Sequence, residues 1–462
     1  MFIKKIVISS FFVFFLTITC VFGQGRGAIF DEQYENLPRR AELTARSYEG
    51  LPSSFSLRQY APLPGDQANT GTCVAWAASY AARTITESVA LNRVNQTETT
   101  QNAFSPTFVY RTVMPNDPRG MMGTQIYTAL DMMRDVGTVR MLDIERTTSF
   151  TAIGLSYFKN LRYYPIGDYV TLFSREDRLK PAFITRIVKK SLTEGKPVII
   201  GMNTPDSFTD ATDVWEPREN PNRHYYGHAL CVVGYDDNRY GGAFEVLNSW
   251  GRKWGNGGYI WIPYQVFINF VIEGYEIIEN IANYSDTIRF EGFVRMEAAG
   301  QNTEFTITPE GYRTTETLNS GTEYRFFVGA RESAYVYTFL VSQLSGDNRV
   351  YSPVLLFPQP RISPLMNYAE SVITLPSENM TFTLNAQAGT EYLITLYSKQ
   401  ALDIQGIMRR FETASGSINK RLVAAIENLA TELTYTENQA GFSITPDNPR
   451  VVAALVVAVE HQ

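Results

Sequence analysis

The chain has 462 residues, 44% of them apolar and 19% charged, with a formal net charge of −6. That length allows two or three domains and at least one large core, and the composition is that of a globular protein. No basic block accompanies the negative balance, which argues against a nucleic-acid partner, and 27 Tyr with 28 Phe suit β-structure better than disorder.

Residues 1–23 read as a signal peptide. Lys4 and Lys5 supply the positive start, the run from Ile6 to about Val21 is uncharged, and Val21-Phe22-Gly23 offer a cleavage site before Gln24. The run is short for a bilayer span, which needs about 20 residues. Thr17 and Thr19 are poor neighbours for a lipid anchor on Cys20. Export to the periplasm, the surface or the medium is expected, with no membrane span left after cleavage. Losing the two lysines takes the net charge from −6 to −8.

Residues 24–50 are mixed in charge and favour helix (Arg39, Arg40, Glu42, Arg46, Glu49), which reads as a short pro-segment or an N-terminal arm. From Leu51 the pattern is that of a folded domain. Helices are expected over about Thr72 to Ala90, from Ser105-Pro106 onward, over about Thr124 to Asp135 with a stop near Gly137, and from Pro181 to Gly195. Strands follow at Pro197 to Ile200, Ala229 to Tyr235, Ala243 to Leu247 and Tyr259 to Pro263. Helices first and strands later give an α+β class for residues 51–280. After a composition change near 280–286, residues 286–462 read as a separate, mostly β domain. Its expected strands are Tyr324 to Val328, Tyr335 to Val341, Val354 to Phe357, Thr381 to Leu384, Tyr392 to Tyr397 and Val451 to Val459, with one helix over about Asn419 to Leu433.

Three residues carry chemistry in chain order. Cys73 lies in Gln67-Ala68-Asn69-Thr70-Gly71-Thr72-Cys73, His228 in Gly227-His228-Ala229, and Asn248 in Asn248-Ser249-Trp250-Gly251. A thiol, an imidazole and an amide are the parts of a cysteine acyl-transfer site. A free thiol has a pKa of ~8.5, so it needs help to ionise at neutral pH. The start of a helix at Cys73 and a proton-accepting His228 both provide it. Asn248 orients the imidazole, and Trp250 covers their bond. The Gln67 side chain and the Cys73 amide are the candidate oxyanion donors, worth on the order of 3 kcal/mol each.

These residues resemble the papain family of cysteine peptidases, in a bacterial branch, over about Leu51 to Asn280. His228 follows Cys73 by 155 residues and Asn248 by 175. The resemblance implies a helical lobe bearing Cys73 and a β-rich lobe bearing His228 and Asn248, with a cleft between them for a peptide or protein substrate. It implies substrate contacts from Gly71, Thr72, Gly227, Ala229 and Trp250, and it places Gly123 where a backbone pairs with extended substrate. No metal or cofactor is implied. The family's usual Cys-Gly-Ser-Cys-Trp is replaced by Thr70-Gly71-Thr72-Cys73-Val74. The cysteine normally used in a disulfide is therefore missing, and Cys73 and Cys231 are both expected to be free. The usual long inhibitory prodomain is also absent, which makes latency by a folded prodomain doubtful.

The remaining candidates have plainer roles. Cys231 reads as a buried strand residue, His224 as a surface residue near the cleft and His461 as part of a solvated tail. Asp236-Asp237 reads as a turn and not a metal site. The C-terminal half resembles a bacterial β-rich domain of unknown function appended to exported enzymes, with a protein or surface ligand as its expected partner. Two alternatives to peptide hydrolysis stay open: amidase or transpeptidase chemistry on the same three residues, and a binding or adhesion protein built on a peptidase-like scaffold.

Overall fold

The computed structural model describes residues 25–144, 161–279 and 290–462, apart from 348, 431–432, 437–439, 446–447 and 449. The expected signal peptide and the expected boundary near 280–286 lie outside the described residues.

The helix that begins at Cys73 runs through Cys73–Ala75, Trp76–Arg83 and Thr84–Ala90 without a break, and its middle part is π-helical. Ala75, Ala78, Ala82 and Ile85 are buried on it. Small side chains at this spacing let the helix backbone come close to the sheet behind it. Pro106–Val113 starts as the sequence suggests: Ser105 Oγ accepts from the Phe108 amide, and Pro106 needs no partner for its nitrogen. Ile126–Asp135 and Pro181–Thr193 are amphipathic, with Ile126, Leu130 and Met133 buried on one and Ile184, Ile187, Val188 and Leu192 on the other. Each leads to a glycine of positive φ, Gly137 at +95° and Gly195 at +75°, a conformation that costs other residues strain.

Against these helices lies a seven-stranded sheet of β1 (Ser54–Ser56), β2 (Asp168–Thr171), β3 (Val198–Thr204), β4 (Tyr226–Asp236), β5 (Ala243–Leu247), β6 (Tyr259–Pro263) and β7 (Val271–Ile278). The order is β2-β7-β3-β4-β5-β6, with β1 also paired to β4. β4 is buried from His228 to Tyr235, as expected of a strand covered on both faces. Residues 290–462 form two further seven-stranded sheets. Their longest ladders join Ala334–Leu344 to Gly389–Ser398 and Gly389–Ser398 to Val452–His461. The class is therefore mixed α and β with a mostly β C-terminal half. No helix among the described residues is long and apolar enough to cross a membrane.

Three expectations need correction. The arm is not helical. It holds two short 3-10 turns, Glu32–Asn36 and Ala45–Tyr48, joined by extended chain. Tertiary contacts override its helix-favouring composition: Arg39 N–H donates to Arg361 O, Arg40 N–H to Thr171 O and Thr44 N–H to Val372 O. In the C-terminal half the helix expected over 419–433 spans only Ile418–Ala425, and a second one, Ile404–Thr413, precedes it. Asn428 at φ +59° lies just beyond the point where the chain turns extended. His461 is not a solvated tail residue. It ends the last strand, 4% exposed, with Nδ1 2.9 Å from Ser320 Oγ.

Beneath the arm, Tyr34 OH donates to Phe173 O, and Gly274 N–H donates back to Tyr34 OH at 3.1 Å. Glu273 lies beside this contact. Burial pushes its carboxyl up to about 7, outweighing the Tyr275 hydroxyl and the Arg175 guanidinium 3.3 Å away. A raised carboxyl contributes stability that is complete below its unfolded pKa and is lost as pH rises through the folded value. Relative to Glu273→Gln, which stays neutral, the unsubstituted chain should lose on the order of 2–3 kcal/mol between pH 4.5 and 8. Urea midpoints at the two pH values measure this, and parallel midpoints would contradict it.

Candidate active site

Cys73 is the first residue of its helix, after Thr72 at the cap position. Its thiol faces the backbone amide of Ala229 on β4, the residue after His228. β5 ends at Leu247 and delivers Asn248 beside β4, where the Asn248 amide donates to Gly258 O at 3.0 Å. His228 Nε2 lies 2.8 Å from Asn248 Oδ1.

The protonation pattern follows from the hydrogen bonds. Asn248 Oδ1 also accepts from the Ser249 amide at 2.8 Å, which identifies that atom as the oxygen. His228 Nε2 must then be the donor, which leaves the lone pair of the neutral ring on Nδ1. Nδ1 is buried without a hydrogen-bond partner among the described residues. This leaves a basic nitrogen without a partner among the described residues on the residue that precedes Ala229, whose amide faces the thiol. Trp250 lies over the imidazole with ring centroids 4.6 Å apart and planes 26° apart. It is braced in turn by Phe208 at 5.5 Å and Trp254 at 5.3 Å. That shield keeps water from the His228–Asn248 bond and strengthens it.

Both reacting groups are wholly buried. Burial pushes the Cys73 thiol up, against the amides of Ala229, Gly27 and Val74 that favour its thiolate. Burial pushes His228 down to about 3, opposed by Asn248 and reinforced by the positive charge of Arg26. A thiolate–imidazolium pair is expected from the sequence, but in this closed arrangement burial of both groups outweighs the hydrogen bonds that support their charges and favours the neutral pair. Cys231 is buried on β4, and its thiol is also pushed up by burial. Cys73 and Cys231 are free thiols.

Gln67 is fixed on three sides. Its amide donates to Ser249 O at 2.8 Å, its Oε1 accepts from Ser249 Oγ at 2.5 Å, and its Nε2 donates to Thr70 O at 2.6 Å. The other Nε2 hydrogen goes to the carbonyl of Gly25 at 3.1 Å, which also accepts from Trp250 Nε1 at 3.1 Å. A carbonyl oxygen thus already sits on the expected oxyanion donor, and it belongs to the chain's own arm.

The start of the arm is hydrogen-bonded to residues on both sides of the site. Ala28 N–H donates to Gly227 O at 3.0 Å, Thr124 N–H to Gly27 O at 2.9 Å and Ile29 N–H to Thr124 O at 3.1 Å. Trp250 stacks on His228, Thr72 precedes Cys73, Gly227 and Ala229 flank His228, and the Gly71 carbonyl lies close to Gly27. Gly123 lies against the Gly27 carbonyl, and the pairing with extended chain is made by its neighbour Thr124. His224 is exposed in its loop. Thr124 and residues 25–30 take part in the site without being foreseen from the sequence. The available signal was Gly25-Arg26-Gly27, two glycines in the otherwise side-chain-rich start of the arm.

Comparison with known proteins gives three kinds of likeness. Residues 171–277 match the family model described as papain family cysteine protease, a stretch that includes His228 and Asn248 but not Cys73. A curated relative, the uncharacterized peptidase C1-like protein L477 of Acanthamoeba polyphaga mimivirus, is 27% identical over 232 residues, 46% of this chain and 69% of that protein. Among solved structures, xylellain, a cysteine protease from Xylella fastidiosa, is 19% identical, with a TM-score of 0.42, over 56% of this chain and 96% of that one. Digestive procathepsin L 3 of the Tenebrio molitor larval midgut is 15% identical, with a TM-score of 0.41, over 56% of this chain and 76% of that one.

Proposed function

We propose that this papain-like cysteine peptidase is an exported endopeptidase that hydrolyses peptide bonds through a thioester on Cys73. One observation carries the reading. Asn248 fixes His228 in the tautomer whose unpartnered Nδ1 is basic, and the Cys73 thiol lies against the next residue of the same strand. In the open site His228 Nδ1 takes the thiol proton, and Cys73 Sγ attacks the peptide carbonyl carbon. Gln67 Nε2 and the Cys73 amide receive the oxyanion. The C–N bond breaks as His228 returns the proton to the leaving amine. A water then gives a proton to His228 and its oxygen to the acyl carbon, and the thiol is released with the acid. The basis for export is the Lys4-Lys5 start followed by the uncharged run to Val21.

A fluorogenic peptide library tests the reading on the whole chain and on one that begins at Asp31. Turnover that stops when an epoxide-type thiol reagent labels Cys73 is the expected result. No turnover in either chain, or inactivation that tracks labelling of Cys231, would refute it. An added amine acceptor separates hydrolysis from transfer, because transfer would appear as acylated amine.

A further inference from the structure

The C-terminal half leaves a sheet edge only partly covered. The strand Ser371–Leu375 ends its sheet and pairs on its inner side with Glu323–Ala330. An uncovered strand edge offers N–H and C=O groups to any extended chain. The arm covers this edge at Val372, whose carbonyl accepts from Thr44 N–H at 2.9 Å. Past that contact the arm turns to a side chain, and Ala45 N–H donates to Glu378 Oε1 at 3.0 Å. On the other side of Thr44 the arm is tied down at Arg39, whose N–H donates to Arg361 O and whose carbonyl accepts from Ser363 N–H, both at 2.8 Å. Between these ties no backbone hydrogen bond among the described residues joins Ala41, Glu42 or Leu43 to the C-terminal half.

A cavity of about 330 Å³ lies in that gap. Part of its wall is apolar, from Leu43, Phe357, Ile373 and Leu375, and part is polar, from Glu42, Thr374, Glu378 and Asn379. Strand geometry aims Thr374 at it. Val372 turns its carbonyl to the arm, and residues two apart in a strand face the same way, so Thr374 presents its N–H and C=O on that side too. Neither has a backbone partner there among the described residues. Thr374 is only 8% exposed, and its Oγ1 is buried with no hydrogen-bond partner among the described residues. Buried polar groups are ordinarily satisfied, so this one calls for a ligand.

The two carboxylates set the charge of that ligand. The Glu42 side chain is 64% exposed, with Arg186 Nη2 3.2 Å away. Glu378 is exposed, and Arg325 Nη1 donates to its carbonyl, not to its carboxylate. No lysine or arginine among the described residues lines the cavity. An apolar wall beside two carboxylates suits a side chain with a methylene stem and a cationic head.

We propose that this cavity is a docking site for a lysine or arginine side chain of an extended peptide, which adds to the strand edge at Thr374. Backbone hydrogen bonds to Thr374 hold the peptide, and the cavity selects its basic residue. The occupant is a polypeptide and not a free amine, because the backbone groups of Thr374 call for a second backbone. None of the lining residues belongs to the Cys73 site, so docking there is separate from cleavage.

Fluorescence anisotropy tests this on full-length Cys73→Ala, which leaves the probe uncut. The probe is the labelled peptide Thr-Val-Arg-Val-Thr with both ends blocked. It should bind saturably. Glutamine in place of its arginine should weaken binding at least about tenfold, as should Glu42→Gln with Glu378→Gln in the protein. Asn379→Arg, which brings a cation to the exposed edge of the cavity, should weaken it as much and decides alone if the double variant does not fold. Free arginine amide, a cationic head without a strand, should compete at least about tenfold less well than the unlabelled peptide. Equal affinity in all variants would put the peptide elsewhere and overturn the proposal. No saturation up to about 1 mM would overturn it too. Arginine amide competing as well as the peptide would overturn the docking of a chain at this edge.

Discussion

Cys73→Ala should lower kcat/KM by about 10⁵-fold or more, His228→Ala should cost nearly as much, and the double variant should be no worse than either alone. The non-additivity is the diagnostic part. Cys73 has no route to a thiolate without His228, and the imidazole has nothing to deprotonate without Cys73, so either change removes the same step. Asn248→Ala should be milder. It leaves both reacting groups and frees the ring that Asn248 Oδ1 fixes at 2.8 Å and Trp250 covers. A displacement of about 1 Å costs about 10²-fold, and it should appear in kcat with KM little changed. Kinetics are measured on the full chain and on the chain that begins at Asp31, so that a closed cleft does not mask the ratio. Cys73→Ala with activity within about tenfold of the unsubstituted chain would remove the nucleophile from the mechanism.

The site was legible to the extent that it depends on residue type and local sequence. Cys73 at a helix start, His228 within a strand and Asn248 at a strand end are each fixed by neighbours close in sequence. What fills the cleft was not legible, because it depends on contacts across long stretches of chain. Gly25 meets Trp250 and Ala28 meets Gly227, and no local pattern announces either pair. The arm shows the same limit in energetic form. Arg40 looks like a solvated helix residue, yet it is 4% exposed in the fold. A buried arginine is tolerable only when charges and hydrogen bonds from elsewhere meet it. The helix Ile404–Thr413 is a different case. Ile404, Ile407, Met408 and Phe411 are buried at helical spacing and Asp403 caps the Gly406 amide, so both signals were present in the sequence.

Glu276→Ala should destabilise the chain by about 3–5 kcal/mol, the usual cost of breaking a buried ion pair from one side. Glu276 lies on β7 with no exposed surface. Arg40 of the arm and Asn367 and Tyr368 of the C-terminal half all donate to its carboxylate, and so does Ser191 Oγ at 2.8 Å. Lys196 Nζ lies 3.8 Å away. Burial pushes this carboxyl up, but Arg40 and Lys196, with the Tyr368 and Ser191 hydrogen bonds, carry it below the usual carboxylate range. A depressed carboxyl contributes stability that is present above its unfolded pKa and is lost as pH falls through the folded value. The penalty of Glu276→Ala should therefore be full at pH 7 and shrink as the pH is lowered below about 4.5. Arg40→Ala in the same chain should cost less than the sum of the two single changes, because it removes the guanidinium that Glu276→Ala leaves unpaired. Since three parts of the chain meet at this one carboxylate, its loss should also separate them. Urea unfolding followed by tryptophan fluorescence, whose five Trp all lie before residue 280, should shift away from unfolding followed by circular dichroism, which sees both halves. Coincident transitions with a midpoint change worth less than about 1 kcal/mol would mean that this cluster breaks even against its desolvation, and that other contacts, such as Val170 and Ile278 packed on Leu365 and the arm's hydrogen bonds to Arg361 and Val372, hold the halves together.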